Sequence, residues 1–383
     1  MAKSGHALTV ICSKRDYYTD EVLAGAEGKV VHFTWEEAMN IFNVATIPHA
    51  QRSMSRRILY YLSFAVMTLY AGLRVPKVDL VYARTPALLT PVSGWLLARM
   101  KKAKFVIAIG DLHPDEAVNL GQIKNPFLIR LWEKMENFFR RRADLLVVTV
   151  PGIKPLLVAK GFAPDFIHVA TNAYDIEEER SNPLPLETYR ELERLQGKFT
   201  IMFAGSVGDV NALEVAVEAA KNIQNEYPDI QFVIVGKGRK LPYLRELAKS
   251  WKLHNIHFLK PVPRNCVSTL LRRAQAVILM VYAGDAHGCY YLPNKFFEYL
   301  GSGRPFIYSG SGEVANHIRL AQCGLVVPPE SPQAFAEAVR YLFTHQEEAR
   351  DMGERGRAYI LEHFDRKQIF TALINRLESL VRK

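Results

Sequence analysis

Short, nearly uninterrupted apolar runs alternate along this chain with longer amphipathic stretches. Runs at 7–12, 29–33, 79–83, 104–109, 144–148 and 167–170 predict strands in the first half. Runs at 199–204, 231–238 (closing on a Gly-Lys-Gly turn), 256–259, 276–281, 305–308 and 325–328 predict strands in the second. Apolar runs without strict alternation suit parallel strands covered on both faces. Helical spacing recurs between them, at 91–100, 127–142, 153–161, 211–222, 310–320, 332–343, 347–363 and 365–383. Strand and helix in turn predict an α/β fold built on parallel sheets. A charged stretch carrying Pro183 and Pro185 divides the pattern. The expected domains are 1–178, a linker at 179–198, a second domain at 199–363, and a terminal helix at 364–383 returning to the first. A chain of 383 residues agrees with two cores rather than one.

The run from Gly288 to Ile307 is the most informative. Pro293 suits the first turn of a helix, Phe296, Phe297 and Leu300 give that helix an apolar face, and Gly301 with Gly303 stops it. Lys295 and Glu298 then stand near a helix start, just after a parallel strand. Open α/β sheets bind ligands there, and helix amides favour a phosphate. A cation for phosphate and a carboxylate for ribose hydroxyls suit a nucleotide. The bland alternative is a Pro-capped helix with one lysine and one glutamate on its surface.

This run resembles the donor-site signature of the retaining, nucleotide-sugar-dependent glycosyltransferases of family 4, which have the GT-B fold of two Rossmann-like domains facing across a cleft. The likeness is to bacterial O-antigen, capsule and exopolysaccharide assembly members with a Pro-Ser-Lys-x-x-Glu-Tyr run. It implies ribose binding by Glu298 and phosphate contact by Lys295, with Tyr290 and Leu292 bordering the donor. Tyr290 stands where relatives have a first glutamate, so that residue's sugar-hydroxyl role does not carry over. The likeness extends to Gly110-Asp-Leu-His-Pro114, where Asp111 and Pro114 match and His113 replaces a tryptophan. Asp111 and His113 are expected to orient acceptor or sugar, although Asp111 as a helix cap and His113 as a surface residue remain open.

The turn Gly205-Ser-Val-Gly208 lies between a strand and a helix that Asn211-x-x-Glu214 is expected to open as a capping box. Its amides suit a diphosphate. Relatives supply an arginine and a lysine from this loop; here Ser206 and Asn211 occupy those places. Lys237 is the candidate replacement, with a solvated loop lysine as the alternative. Arg140-Arg-Arg142 suits anionic lipid or sugar, with a solvated helix end as the preferred reading.

Composition changes the picture in one respect. The net charge of +10 is concentrated at 52–104, where ten basic residues face Asp79 alone. Within it, 58–73 is apolar and uncharged, yet shorter than the roughly 20 residues a spanning helix needs. It is read either as an interfacial helix flanked by Arg52, Arg56 and Arg57 or as a core helix. No nucleic-acid motif accompanies the charge. The first apolar run is too short for a leader peptide, and four scattered cysteines form no metal spacing. A cytoplasmic protein, peripheral on the inner membrane face, is expected.

The resulting expectation is a hexosyl- or N-acetylhexosaminyl-type transferase that moves a sugar from a nucleoside diphosphate donor to a saccharide or lipid-linked saccharide, with retention. It is expected to need no metal and no cofactor beyond the donor. A nucleotide-sugar epimerase or hydrolase of the same fold, or a non-catalytic nucleotide-sugar-binding subunit, remains open.

Overall fold

The computed structural model describes residues 5–16, 20–36, 38–48, 54–85, 89–115, 118, 123–176, 182–208, 210–282 and 292–382, without the side chains of residues 54, 55 and 57. Contacts divide the chain into two compact units, Met1–Ala170 with Phe370–Lys383, and Thr171–Ile369.

The first unit holds β1 (Leu8–Ser13), β2 (Val31–Glu36), β3 (Met39–Val44), α1 (Met54–Arg74), β4 (Leu80–Arg84), α2 (Thr90–Lys101), β5 (Lys104–Ile109), α3 (Pro126–Arg140), β6 (Leu145–Val148), α4 (Ile153–Ala159) and β7 (Ile167–Val169). They form two sheets, β1-β3-β2 and the parallel β4-β5-β6-β7. The hairpin strand β3 is not among the strands expected from the sequence. Its polar positions hid it: Asn43 is buried, taking the Cys12 thiol at 3.1 Å and donating to Thr34. Residues 58–73 do form helix, inside α1. Its inner face packs on α2, β1 and β3, while Ile58, Leu62, Val66, Tyr70 and Leu73 stay 42–56% exposed. No helix among the described residues is long and apolar enough to cross a membrane.

The second unit holds α5 (Leu186–Glu193), β8 (Phe199–Ala204), α6 (Glu214–Ile223), β9 (Ile230–Val235), α7 (Leu241–Ser250), β10 (Ile256–Leu259), α8 (Val267–Leu271), β11 (Ala276–Met280), α9 (Asn294–Gly301), β12 (Phe306–Ser309), α10 (Glu313–Ala321), β13 (Gly324–Val327), α11 (Pro332–Thr344) and α12 (Gln346–His363). The helix α5 lies within the stretch expected as linker. One parallel sheet runs β10-β9-β8-β11-β12-β13. Strands β8, β9, β11 and β12 are buried at every position, as a sheet with both faces covered requires. The order reverses between β8 and β11, and those two strands pair over only two residues, Ala276 with Ile201 and Val277 with Met202. Beyond Val277 they are no longer paired. A crevice at the carboxyl ends of such a switch point is where open α/β sheets take ligands.

A last helix, α13 (Arg366–Arg382), crosses the division. Its later turns are tied to the first unit, with Arg376 donating to the Asp165 main chain at 2.7 Å and Glu378 accepting from His6 at 3.1 Å.

Candidate functional site

In the second unit the switch point is flanked by two structures that the sequence had singled out separately. One is the turn after β8. Gly205 N–H donates to Val235 and Val207 N–H to Lys237, both at 2.9 Å, which zips this turn to the loop after β9. A Cβ on Gly236 would stand 1.9 Å from the Gly205 carbonyl oxygen, and one on Gly238 2.1 Å from that of Val207. Only glycine permits two main chains so close. Among the described residues, the N–H groups of Ser206 and Gly208 have no hydrogen-bond partner in this arrangement. Among the described residues, nothing lies within 4 Å of a Cβ placed on Gly208. So two of the turn's amides remain for an anion.

The other structure is α9. Pro293 is its N-cap rather than its first residue, with extended backbone. Phe296, Phe297, Tyr299 and Leu300 are buried. The Tyr299 hydroxyl accepts from Ala204 N–H at 2.8 Å and donates to the Ala204 carbonyl at 3.1 Å, clamping α9 onto the end of β8. One turn earlier, Lys295 therefore lies across Gly205: a Cβ there would meet Lys295 Cε at 2.2 Å. The ammonium sits over the Phe203 ring, 4.3 Å from its centroid. Burial lowers the Lys295 pKa to about 8 against the opposing pull of Glu298, the carboxylate one turn on. A lysine held partly dehydrated beside main-chain amides not taken by described residues gains a strong reason to hold an anion, which would restore its charge.

The remaining donor-side expectations fare differently. Ser206 is exposed and offers its main chain. Lys237 is an exposed loop lysine whose main-chain oxygen braces the turn. Leu292 is 4% exposed, so its side chain belongs to the core and only its main chain is available. Tyr290 lies outside the described residues. The capping box does not form. Asn211 instead donates to the Ser206 carbonyl at 2.9 Å, holding the turn closed. Glu214 takes Lys240 at 2.6 Å and the Tyr282 hydroxyl at 2.9 Å, and Lys240 also bonds Tyr282. Sequence reading missed this triad. It ties together the starts of α6 and α7 and the segment leaving β11.

In the first unit, β5 delivers Gly110 and Asp111 at its carboxyl end, where Gly110 N–H donates to the buried Thr85 hydroxyl at 3.3 Å. Asp111 is exposed. Asp115 is drawn aside to Lys160 at 2.9 Å. The His113–Pro114 peptide is cis, and the His113 ring stacks on Trp132 at 5.4 Å between centroids. Arg140 donates to the His113 carbonyl at 2.9 Å and pairs with Glu136 at 3.2 Å. The reading of the arginine triplet as a solvated end holds for Arg141 and Arg142, which are exposed, but not for Arg140: the Arg140 and Glu136 side chains are 1% and 4% exposed. Burial raises the Glu136 carboxyl against the pull of Arg140. No charge in the sequence pattern of α3 announces this, apart from a Glu and an Arg four residues apart on its apolar side. Arg56 is exposed; Arg52 and the Arg57 side chain lie outside the described residues.

Comparison with known proteins adds independent findings. A model described as "Glycosyl transferase 4-like domain" matches residues 1–173, and one described as "Glycosyl transferases group 1" matches residues 198–345. D-rhamnosyltransferase WbpZ of Pseudomonas aeruginosa is 31% identical over 189 residues, 49% of this chain and 45% of that protein. The putative colanic acid biosynthesis glycosyl transferase WcaI of Escherichia coli is 24% identical over 372 residues, 93% of this chain and 89% of that one. The chain thus spans less than half the length of the first relative and most of the second. Among solved structures, sucrose-phosphate synthase from Thermosynechococcus elongatus superposes with a TM-score of 0.76, covering 99% of this chain and 90% of that one at 15% identity. HepE of Anabaena, solved with UDP and glucose, gives 0.69 over 89% and 87%, also at 15% identity. At that identity the structures attest the fold alone.

Proposed function

Because the chain belongs to the family 4 glycosyltransferases and has their GT-B fold, we propose that it moves a sugar from a nucleoside diphosphate donor to a saccharide hydroxyl, with retention, in bacterial surface polysaccharide assembly. The observation that carries this reading is Lys295 lying across Gly205 beside the Ser206 and Gly208 amides, which no described residue takes, at the switch point of the second unit's sheet. The relatives named for rhamnosyl transfer and colanic acid synthesis support the product class, and HepE with UDP and glucose supports the donor class.

In the proposed reaction the acceptor hydroxyl attacks the anomeric carbon on the face the diphosphate leaves. The carbon–oxygen bond to the diphosphate breaks, the new glycosidic bond forms, and the acceptor proton passes to the departing phosphate oxygen. Negative charge grows on that diphosphate. Lys295 and the two amides stabilise it, which is the electrostatic work such sites do best. Glu298 accepts from the ribose hydroxyls. Asp111, with His113 beside it, orients the acceptor or sugar. The sugar is of hexosyl or N-acetylhexosaminyl type, and no metal enters the scheme.

The acceptor is lipid-linked in this reading, and the protein works peripherally on the cytoplasmic membrane face. The exposed apolar stripe of α1 with exposed Arg56 supports an interfacial position. The experiment is to screen nucleotide sugars by thermal shift, then assay the binders with membrane-extracted lipid-linked saccharides. Release of nucleoside diphosphate that depends on acceptor is expected. Release without any acceptor points to a hydrolase or epimerase instead, and absence of turnover with every donor that binds points to a binding subunit.

A further inference from the structure

The amino ends of β4, β5 and β6 border a half-open pocket of about 640 Å³. It lies at the opposite end of the first unit's sheet from Asp111: the two ends of β5, Lys104 and Ile109, are five residue steps apart, or roughly 17 Å. Five cations line it: Lys77, Arg99, Lys102, Lys104 and Arg142. They come from the loop after α1, from α2, from β5 and from the segment after α3. The helix dipole accounts for Arg99 and Lys102 at the end of α2, but not for cations converging from three other segments. Like charges gathered in one concavity repel each other unless something opposes them.

The protein itself does little to oppose them. Asp144 accepts the Phe105 N–H at 2.8 Å and is 3.7 Å from Lys104, so that carboxylate is committed. Asp79 is the other one present. Among the described residues, Lys77, Arg99 and Lys102 make no ion pair and no side-chain hydrogen bond. Trp95, Ala98 and Phe105 supply an apolar lining beneath the charges. The volume falls within the usual range for small-ligand sites. Guanidinium forks and lysine point charges together suit a phosphate group.

Two exposed apolar stripes end beside this rim. On α1, Ile58, Leu62, Val66, Tyr70 and Leu73 run toward Arg74 and Lys77, and Lys101 pins that helix end to α2 through the Leu73 and Val75 carbonyls at 3.0 and 2.6 Å. On α3, Phe138 lies under the Arg142 guanidinium, 3.3 Å from the ring centroid. We propose that this cavity is a second anion site, distinct from the donor site, that binds a phosphate-bearing headgroup. It goes beyond glycosyl transfer and stands whether or not that reading holds.

The test compares full-length wild type, a cavity triple (Lys77→Gln, Arg99→Gln, Lys102→Gln) and a triple of equal charge loss elsewhere (Lys249→Gln, Arg319→Gln, Arg350→Gln). One arm measures cosedimentation with phosphatidylcholine vesicles with and without phosphatidylglycerol. The other measures the thermal shift with soluble glycerol 3-phosphate. Preference of wild type for the anionic vesicles by about tenfold or more, lost in the cavity triple and kept in the other, supports the site with a lipid source. A shift with glycerol 3-phosphate confined to proteins with an intact cavity, and no vesicle binding, supports it with a soluble source. Indistinguishable cavity and control triples in both arms overturn it. Thermal shift with the donor nucleotide sugar is expected to be the same in all three proteins, which keeps this outcome separate from any failure of the donor site.

Discussion

Lys295 rests its side chain on Gly205, so that one added methyl group at Gly205 would overlap Lys295 Cε at 2.2 Å. Ninety residues of chain separate them, yet the hydroxyl of Tyr299 on Ala204 fixes their distance. The relationship predicts coupling. Gly205→Ala is expected to push Lys295 off the turn and lower kcat/KM by about 10²-fold, the scale of a lost charge-stabilising contact. In a Lys295→Ala background the same substitution should cost clearly less, because the contact is already gone and only the strain of a side chain at the positive φ of Gly205 remains. Additive losses in a double-mutant cycle would refute the coupling.

The pH dependence of donor binding follows from the same lysine. Its pKa is lowered to about 8 in the free protein, and a bound diphosphate raises it. Below pH 8 the ammonium is already present and affinity should be flat. Above pH 8 a proton must be taken up on binding, so the dissociation constant should rise by about tenfold per pH unit. Lys295→Arg keeps its charge throughout this range and should flatten the profile, whatever its absolute affinity. Calorimetric titration in two buffers of different ionisation heat checks both statements.

Arg140 and Glu136 make a buried pair beneath His113. Arg140→Ala leaves Glu136 as an uncompensated buried carboxylate, and should destabilise the protein by about 3–5 kcal/mol in urea unfolding. Replacing both, Glu136→Leu with Arg140→Met, should recover most of that loss. The His113 carbonyl then still lacks its donor, so acceptor turnover should stay low while the melting temperature returns. Recovery of both together would reduce the pair to a packing device.

How much of this was legible in the sequence depends on how local each signal is. Lys295 and Glu298 were readable because strand, proline and apolar face succeed one another within 25 residues. Glycines 205 and 208 were readable as a turn, but the reason for Gly236 and Gly238, main chains from two loops in contact, was not. Glu214 was misread as half of a capping box since its true partners, Lys240 and Tyr282, arrive 26 and 68 residues later. Arg140 looked solvated because the spacing of Glu136 and Arg140 in α3 does not tell that the pair is buried or that the His113 carbonyl meets it. Strand β3 was lost because Asn40 and Asn43 interrupt its apolar pattern, and Asn43 is buried only by virtue of partners on neighbouring strands.

Exposed residues of α1 permit a clean test of the interfacial reading. Leu62→Glu with Val66→Glu changes positions that are 50% and 56% exposed, so stability should move by less than about 1 kcal/mol. Cosedimentation with anionic vesicles should fall several-fold. Unchanged sedimentation would mean that the stripe does not meet lipid.

The central claim is that the second unit grips the donor diphosphate through Lys295. The most direct measurement is single-turnover transfer by Lys295→Ala with donor saturating. The account predicts a rate lower by about 10²-fold or more in a protein that still unfolds cooperatively. A rate within about threefold of wild type would contradict it.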